Sequence, residues 1–167
     1  VDSETFRSFI NRYPIDRDDL FSVLIENSTK EQHPLNASFL HKTLKDKELA
    51  YRDALWTTYI NNLSSDDERI FQLIMYFDSG KTLDGLSETN TELLLILFAW
   101  LLTSSNRFLR DKVSKAIIEL LKRNFALCKP LLQHFEGVND PYVIQRLYGC
   151  VLGACLKRVE EQRDIYK

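Results

Sequence analysis

The sequence predicts an all-α protein of about nine helices, in which helix pairs repeat and stack. Only 5 glycines and 4 prolines interrupt the 167 residues, and no useful length alternates apolar and polar side chains as strands do. A shift of 30 positions within residues 93–151 superposes seven pairs of apolar residues without a gap. The superposed pairs are Leu97 with Leu127, Leu101 with Leu131, Leu102 with Leu132, Val113 with Val143, Ile117 with Leu147, Leu120 with Cys150 and Leu121 with Val151. Repeated helix pairs cannot bury their apolar faces alone, so they stack and present surfaces that suit macromolecular partners.

The first three helices are predicted from apolar spacing and from two prolines. A helix over 3–13 ends before Pro14, a second covers Arg17–Asn27, and a third covers 36–45 after a polar link that contains Pro34. The apolar residues expected to face inward are Leu20, Phe21, Leu24, Ile25, Phe39, Leu40 and Leu44.

Two further helices complete the N-terminal part of the chain, over 47–63 and 66–77. Ser64 and Ser65 precede the second of them and are its predicted caps. The residues expected to face inward are Leu49, Trp56, Tyr59, Ile60, Leu63, Ile70, Phe71, Ile74 and Phe77.

The longest predicted loop, over 78–87, is the best internal boundary, because Gly80 and Gly85 interrupt it. We nevertheless expect the whole chain to form a single domain, since its length suits one hydrophobic core. Within that domain, 1–78 comprises atypical N-terminal helices and 89–161 comprises two regular helix-hairpin repeats.

Four helices are predicted in the C-terminal repeats, over 89–103, Arg107–Arg123, 125–135 and 141–161. The second and fourth keep apolar residues at the spacing of one helix face. Pro130 should kink the third helix or move its start, because proline removes a backbone donor.

The ends of the last two helices carry recognisable residues. Gly137 is expected to end the third helix in a left-handed conformation, and Asp140 should cap the fourth, with Pro141 at its first position. Gly149 and Gly153 are four residues apart, which favours close approach of another helix over a ligand site.

Composition indicates a soluble globular protein in a reducing cytoplasm. The longest apolar run, 93–102, is about half as long as a bilayer requires, and no signal peptide opens the sequence. Cys128, Cys150 and Cys155 are odd in number and lack CxxC spacing, so we expect free thiols. The sequence begins without methionine and ends in the charged stretch 160–167, so we expect a piece of a longer protein.

The two halves of the chain differ in charge. Residues 1–90 carry 10 basic and 16 acidic residues, a net charge of −6, while residues 91–167 carry 12 and 8, a net charge of +4. The asymmetry suits head-to-tail contacts or an anionic partner. An isoelectric point near 6.0 disfavours a dedicated nucleic-acid-binding protein.

The sequence predicts no catalytic, cofactor or metal site. The tripeptide Gly-Lys-Thr at 80–82 matches the end of a phosphate-binding loop, but Met75 stands where the first glycine of that loop belongs. His33 and His41 lie eight residues apart, and His134 is remote in sequence. Solvated or locally hydrogen-bonded histidines are therefore favoured over metal ligands.

Adjacent opposite charges occur twice near predicted helix starts, as Arg52 with Asp53 and Arg110 with Asp111. One interpretation is partner recognition through the guanidinium groups. The favoured alternative is ion pairing between repeats, with aspartate stabilised near a helix N-terminus.

Two other features have structural interpretations. The tryptophans, Trp56 and Trp100, lie within apolar patterns and are expected to pack in the core. A basic stripe on one helix face consists of Lys112, Lys115, Lys122 and Arg123. Such a stripe suits an acidic partner, although a solvated helix face is the favoured interpretation.

Three stretches of sequence are distinctive together. They are HPLNASFLH (33–41) leading to YRDALWTTYI (51–60), then LTSSNRFLRDK (102–112), then VNDPYV (138–143). In this order they resemble the helical-repeat region of large bacterial STAND-type ATPases, a class that includes antiviral, AVAST-like sensors. The resemblance covers about residues 33–156, and its second and third stretches are the most specific.

The resemblance implies a HEAT-like α-solenoid of antiparallel helix hairpins, downstream of a separate ATPase module. It further implies a non-enzymatic scaffold or sensor segment that contacts a protein partner or other domains of its parent chain, without a membrane partner. The expected contact residues lie at the inter-helix turns and are Asn106, Arg107, Arg110, Asn139 and Tyr142. The expected structural residues of the motifs are Arg52, Asp53, Trp56, Trp100, Asp111, Asp140 and Pro141.

Two alternatives come from other functional classes. A HEAT-like nucleic-acid-binding module is motivated by the +4 charge of residues 91–167. A small helical hydrolase has less support, because no nucleophile, base and orienting group share a recognisable pattern.

Overall fold

The computed structural model describes residues 17–63, 68–78 and 85–165, and within these ranges it is helical without a strand. The all-α prediction is therefore confirmed for the described part of the chain. Its helices are α1 (Arg17–Asn27), α2 (Ala37–Leu44), α3 (49–62), α4 (Glu68–Asp78), α5 (Glu88–Leu101), α6 (Arg107–Arg123), α7 (Cys128–Phe135) and α8 (Pro141–Ile165).

Three predictions fall outside these residues. They are the helix over 3–13, the serine caps at 64–65 and the phosphate-loop-like tripeptide at 80–82. Among the helices that are described, none is both long enough and apolar enough to cross a membrane.

Side-chain caps fix where three of the helices begin. Asn36, Ser87 and Asn106 accept hydrogen bonds from backbone N–H groups two or three residues ahead, at 3.0, 3.0 and 3.3 Å. Each bond satisfies a donor that the first turn of a helix leaves without a partner. The helices α2, α5 and α6 therefore begin directly after Asn36, Ser87 and Asn106.

The helix α3 departs from the predicted spacing because it contains a π-helical turn, Asp53–Thr57. The Thr58 hydroxyl donates to the Asp53 carbonyl at 3.0 Å across this turn. A π turn holds more residues than an α turn, so the apolar face before it is rotated relative to the face after it. Leu49, predicted to face inward, is therefore exposed, while Arg52 is buried.

The third predicted C-terminal helix divides into a 3₁₀ turn, Phe125–Leu127, and α7. Pro130 thus lies in the first turn of α7, where its missing N–H breaks no helical hydrogen bond. The expected left-handed Gly137 is wrong, because Gly85 alone has a positive φ, of 108°, among the described residues. Instead, the N–H of Val138 donates to the carbonyl of Phe135 at 3.0 Å, which closes a turn without a left-handed residue.

The core is centred on α5. Every residue from Leu93 to Leu102 is at most 4% exposed. Helices α2, α6, α7 and α8 all contact α5, so it is enclosed on most sides. Its buried position explains why its sequence is apolar all round rather than on one face.

The helices α6 and α8 lie side by side and run in the same direction. The Cys150 thiol, early in α8, lies 3.7 Å from the carbonyl of Ser114, while Lys122 and Glu161, both later in their helices, form a 2.7 Å hydrogen bond. Since later residues pair with later residues, the two helices are parallel.

The predicted close approach at the glycines occurs at one of the two. A Cβ atom on Gly153 would lie 2.9 Å from the Cδ1 atom of Ile118 on α6. A Cβ atom on Gly149 would meet nothing within 4 Å. Gly153 therefore allows α6 to pack closely against α8, whereas Gly149 faces open space.

Candidate functional site

Arg52 is fully buried and joins residues from distant parts of the chain. Its Nη2 atom donates to the carbonyl of Asn139 at 2.7 Å and lies 3.4 Å from Oδ2 of Asp140. Its Nη1 atom donates to the carbonyl of Lys47 at 3.4 Å. The guanidinium carbon also lies 5.4 Å from the ring centroid of Trp100, within the range of a cation–π contact. Arg52 thus ties α3 and α5 to the start of α8.

Asp140 has a second role in the same place. Its Oδ1 atom accepts a hydrogen bond from the N–H of Val143 at 3.2 Å, which caps α8 ahead of Pro141. The carboxylate is stabilised both by the helix N-terminus and by the guanidinium. Asp53, by contrast, accepts from the hydroxyl of Thr57 at 2.8 Å within its own helix and does not reach the Arg52 cluster.

The two tryptophans extend this network through the core. Trp56 Nε1 donates to the carbonyl of Trp100 at 3.0 Å, and Trp100 Nε1 donates to Nδ1 of His41 at 3.2 Å. Both indole side chains are fully buried. We call His41, Arg52, Trp56, Trp100 and Asp140 the buried polar cluster.

The histidines are placed differently from the sequence expectation. His41 is buried, and its ring centroid lies 5.5 Å from that of His134. Burial, with the nearby charge of His134 as a smaller cause, lowers the pKa of His41 to about 4. His134 pairs through Nε2 with Oε1 of Glu92 at 2.8 Å. The expectation of solvated or locally hydrogen-bonded histidines is therefore wrong for His41 and His134, because helix packing gives each a bonding partner at least 42 residues away in sequence.

The buried polar cluster connects elements of the fold through hydrogen bonds, an ion pair and ring contacts. Its members bond one another inside the core, and the Nε atom of Arg52 is buried among them without a hydrogen-bond partner. Within the described ranges, no group of three or more histidine, cysteine, aspartate or glutamate side chains could hold a metal ion. The cluster therefore connects α2, α3 and α5 to the start of α8.

The five predicted contact residues lie at two neighbouring turns, which we call the turn surface: Asn106, Arg107, Arg110, Asn139 and Tyr142. The structure brings Arg110 and Tyr142 together, with the guanidinium carbon 5.6 Å from the ring centroid. The side chain of Arg107 is 86% exposed. Asn106 caps α6, and Asn139 offers its carbonyl to Arg52, so these two also stabilise the fold.

Arg146 completes the turn surface, and the sequence analysis missed it. Its Nε atom donates to the hydroxyl of Tyr142 at 2.8 Å, and its guanidinium carbon lies 5.4 Å from the ring centroid. Its Nη1 atom also lies 3.3 Å from Oδ1 of Asp111, which in turn pairs with Arg107 at 3.5 Å. The available signal was its position one helical turn after Tyr142.

The second distinctive stretch is anchored to α3. The side-chain oxygen of Asn61 accepts from the hydroxyl of Ser104 and from the N–H of Ser105, both at 2.9 Å. Arg110 donates to the carbonyl of Ser104 at 2.6 Å. These bonds fix the turn between α5 and α6, and with it the orientation of Arg110.

Comparison of the chain with protein-family models, with curated proteins and with solved structures finds no match.

Proposed function

We propose that this chain is a non-catalytic scaffold or sensor segment of a larger bacterial STAND-type ATPase, of the class that includes antiviral sensors. In this proposal its helices form antiparallel hairpins that stack as a HEAT-like α-solenoid, and its surface contacts a protein partner or other domains of the parent chain. The observation that supports it best is that the distinctive stretches of sequence contact one another in the folded chain. Arg52 of the first bonds Asn139 and Asp140 of the last, and Asn61, the residue directly after the first, bonds Ser104 of the middle one.

The turn surface supports protein contact through its composition. Two guanidinium groups, of Arg110 and Arg146, flank the exposed ring of Tyr142, and Arg107 extends into solvent. Tyrosine and arginine are enriched where proteins bind one another. Asp111 pairs with both Arg107 and Arg146, so three guanidinium groups share one carboxylate, and the excess positive charge favours a partner surface with carboxylates.

The proposal is tested by binding between this chain and the remaining domains of its parent protein. Arg107→Ala and Tyr142→Ala should together weaken binding at least tenfold, while circular dichroism shows unchanged helicity. Lys129→Ala removes an exposed basic residue from α7 and is the matched control, which should bind as wild type does. Unchanged binding by the double variant would contradict a role of the turn surface in binding, and loss of helicity in it would assign these residues to structure.

A nucleic-acid-binding module is the alternative, and the same guanidinium groups favour it, because they suit phosphate as well as carboxylate. Binding of this kind weakens steeply with salt through release of counterions. Fluorescence anisotropy with labelled DNA and RNA at two salt concentrations separates the two functions. Absence of salt-sensitive affinity for either would remove the alternative.

A further inference from the structure

The final helix, α8, exposes a row of apolar side chains, which we call the outer stripe: Tyr148, Leu152, Leu156 and Val159. Their side chains are between 53 and 60% exposed. Spacings of four, four and three residues place them on one face of the helix. Isolated exposed apolar residues are common, but a contiguous row indicates a contact surface.

The 30-residue repeat shows which helix covers the equivalent surface on α6, in the preceding repeat. A shift of 30 residues places Ile118 and Lys122 of α6 on Tyr148 and Leu152 of α8. In the structure, α8 covers both α6 residues: Gly153 lies against Ile118, and Glu161 bonds Lys122 at 2.7 Å. The first half of the outer stripe, Tyr148 and Leu152, is therefore the counterpart of a face that is already occupied by a parallel helix, and Leu156 and Val159 extend it beyond the length of α6.

Burial of the repeated positions supports the same relation. Leu102 and Leu121 in the first copy are fully buried. Their counterparts, Leu132 and Val151, are only partly buried. The second copy thus leaves open the side on which the first copy receives its neighbour.

We propose that the outer stripe binds a further helical hairpin of the same repeat type, whose second helix lies parallel to α8. This inference rests on the proposed function, because the parent protein supplies the hairpin. The binding helix carries apolar residues at spacings of three and four, over about 17 Å of helix or three turns. The relation is head to tail, so a closed two-fold dimer of this chain does not reproduce it.

Cys155 is a native reporter for this surface. It lies between Leu152 and Val159 in sequence and is partly buried, whereas Cys128 and Cys150 are buried. Labelling by a maleimide, followed by mass spectrometry of the labelled peptides, measures its accessibility without any mutation. The comparison is between this chain by itself and the intact parent protein.

We expect Cys155 to react at least tenfold more slowly in the parent protein than in this chain alone. In the parent, Leu152→Asp should restore fast labelling, because a carboxylate in the covered stripe disfavours docking. Met75→Asp, at another exposed apolar residue on α4, should leave Cys155 protected. In this chain alone, Leu152→Asp should leave the free energy of unfolding nearly unchanged.

Equal reactivity of Cys155 in both forms would overturn the inference. So would protection that rises with the concentration of this chain alone, since a second copy would then be the occupant. Loss of folding in Leu152→Asp alone would instead assign the stripe to the core. If the Cys155 thiol is accessible in the parent protein, this inference is wrong but the proposed function stands. If the chain is the product of a free-standing gene of this length, both are wrong.

Discussion

Replacing Arg52 with methionine is the sharpest test of the buried polar cluster. The change keeps an apolar stem of similar length but removes the donors to Asn139 and Asp140. The Asp140 carboxylate, 10% exposed, then lies in the protein interior without its cation. Removing one partner of a buried ion pair costs about 3–5 kcal/mol. For a domain of this size, that loss lowers the melting temperature by roughly 6–20 °C.

Urea unfolding followed by circular dichroism measures this change. Arg107→Met is the matched control, and it should alter the free energy of unfolding by less than about 0.5 kcal/mol because its side chain is 86% exposed. Adding Asp140→Asn to Arg52→Met should recover part of the loss, since no carboxylate then remains unpaired. A variant Arg52→Met within about 1 kcal/mol of the wild type would refute the assigned role of the guanidinium.

A change of pH tests the burial of His41, and glycine substitutions test the packing of α8. The folded pKa of His41 is about 4, below its ordinary value of 6.5, so the unfolded chain binds more protons as the pH falls between these values. The free energy of unfolding should therefore decline as the pH falls from 6.5 toward 4, by at most about 3 kcal/mol. Denaturant unfolding across this range should show a flatter decline in His41→Gln but an unchanged one in the control, His33→Gln; equal slopes in all three proteins would contradict the assignment. Gly149→Ala should raise the free energy of unfolding by about 0.5–1 kcal/mol, because alanine favours the helix and its Cβ enters open space. Gly153→Ala should stabilise less, since its Cβ would press on a side chain 2.9 Å away, and equal effects of the two changes would contradict the packing described.

Much of the helical framework could be predicted because it depends on local signals. Both α1 and α6 begin and end at the predicted residues, and Asn106 caps the start of α6. The π turn in α3 could not be predicted in this way, since one extra residue in a turn leaves no mark in composition. It explains why Leu49, seven residues before the buried Trp56, is exposed, the reverse of what continuous α-helical spacing predicts.

The candidate site was only partly predictable, because its partners are distant in sequence. The adjacent charges of Arg52 and Asp53 predict ion pairing between repeats but do not identify the partner of Arg52, which is Asp140, 88 residues away. Tyr142 was expected at the surface, but nothing local indicated that Arg110 would stack on its ring. Such pairings follow from how helices cross, which one sequence without its fold does not specify.

The burial of α5 has a practical consequence for anyone dividing this protein. A fragment starting at residue 85 would keep α5 but lose α2 and α4, which contact α5 and α6 respectively. Freshly uncovered leucines and phenylalanines would then face water, and such fragments aggregate rather than fold. The two parts of the chain, co-expressed as separate pieces divided between α4 and α5, should accordingly stay associated until denaturant separates them.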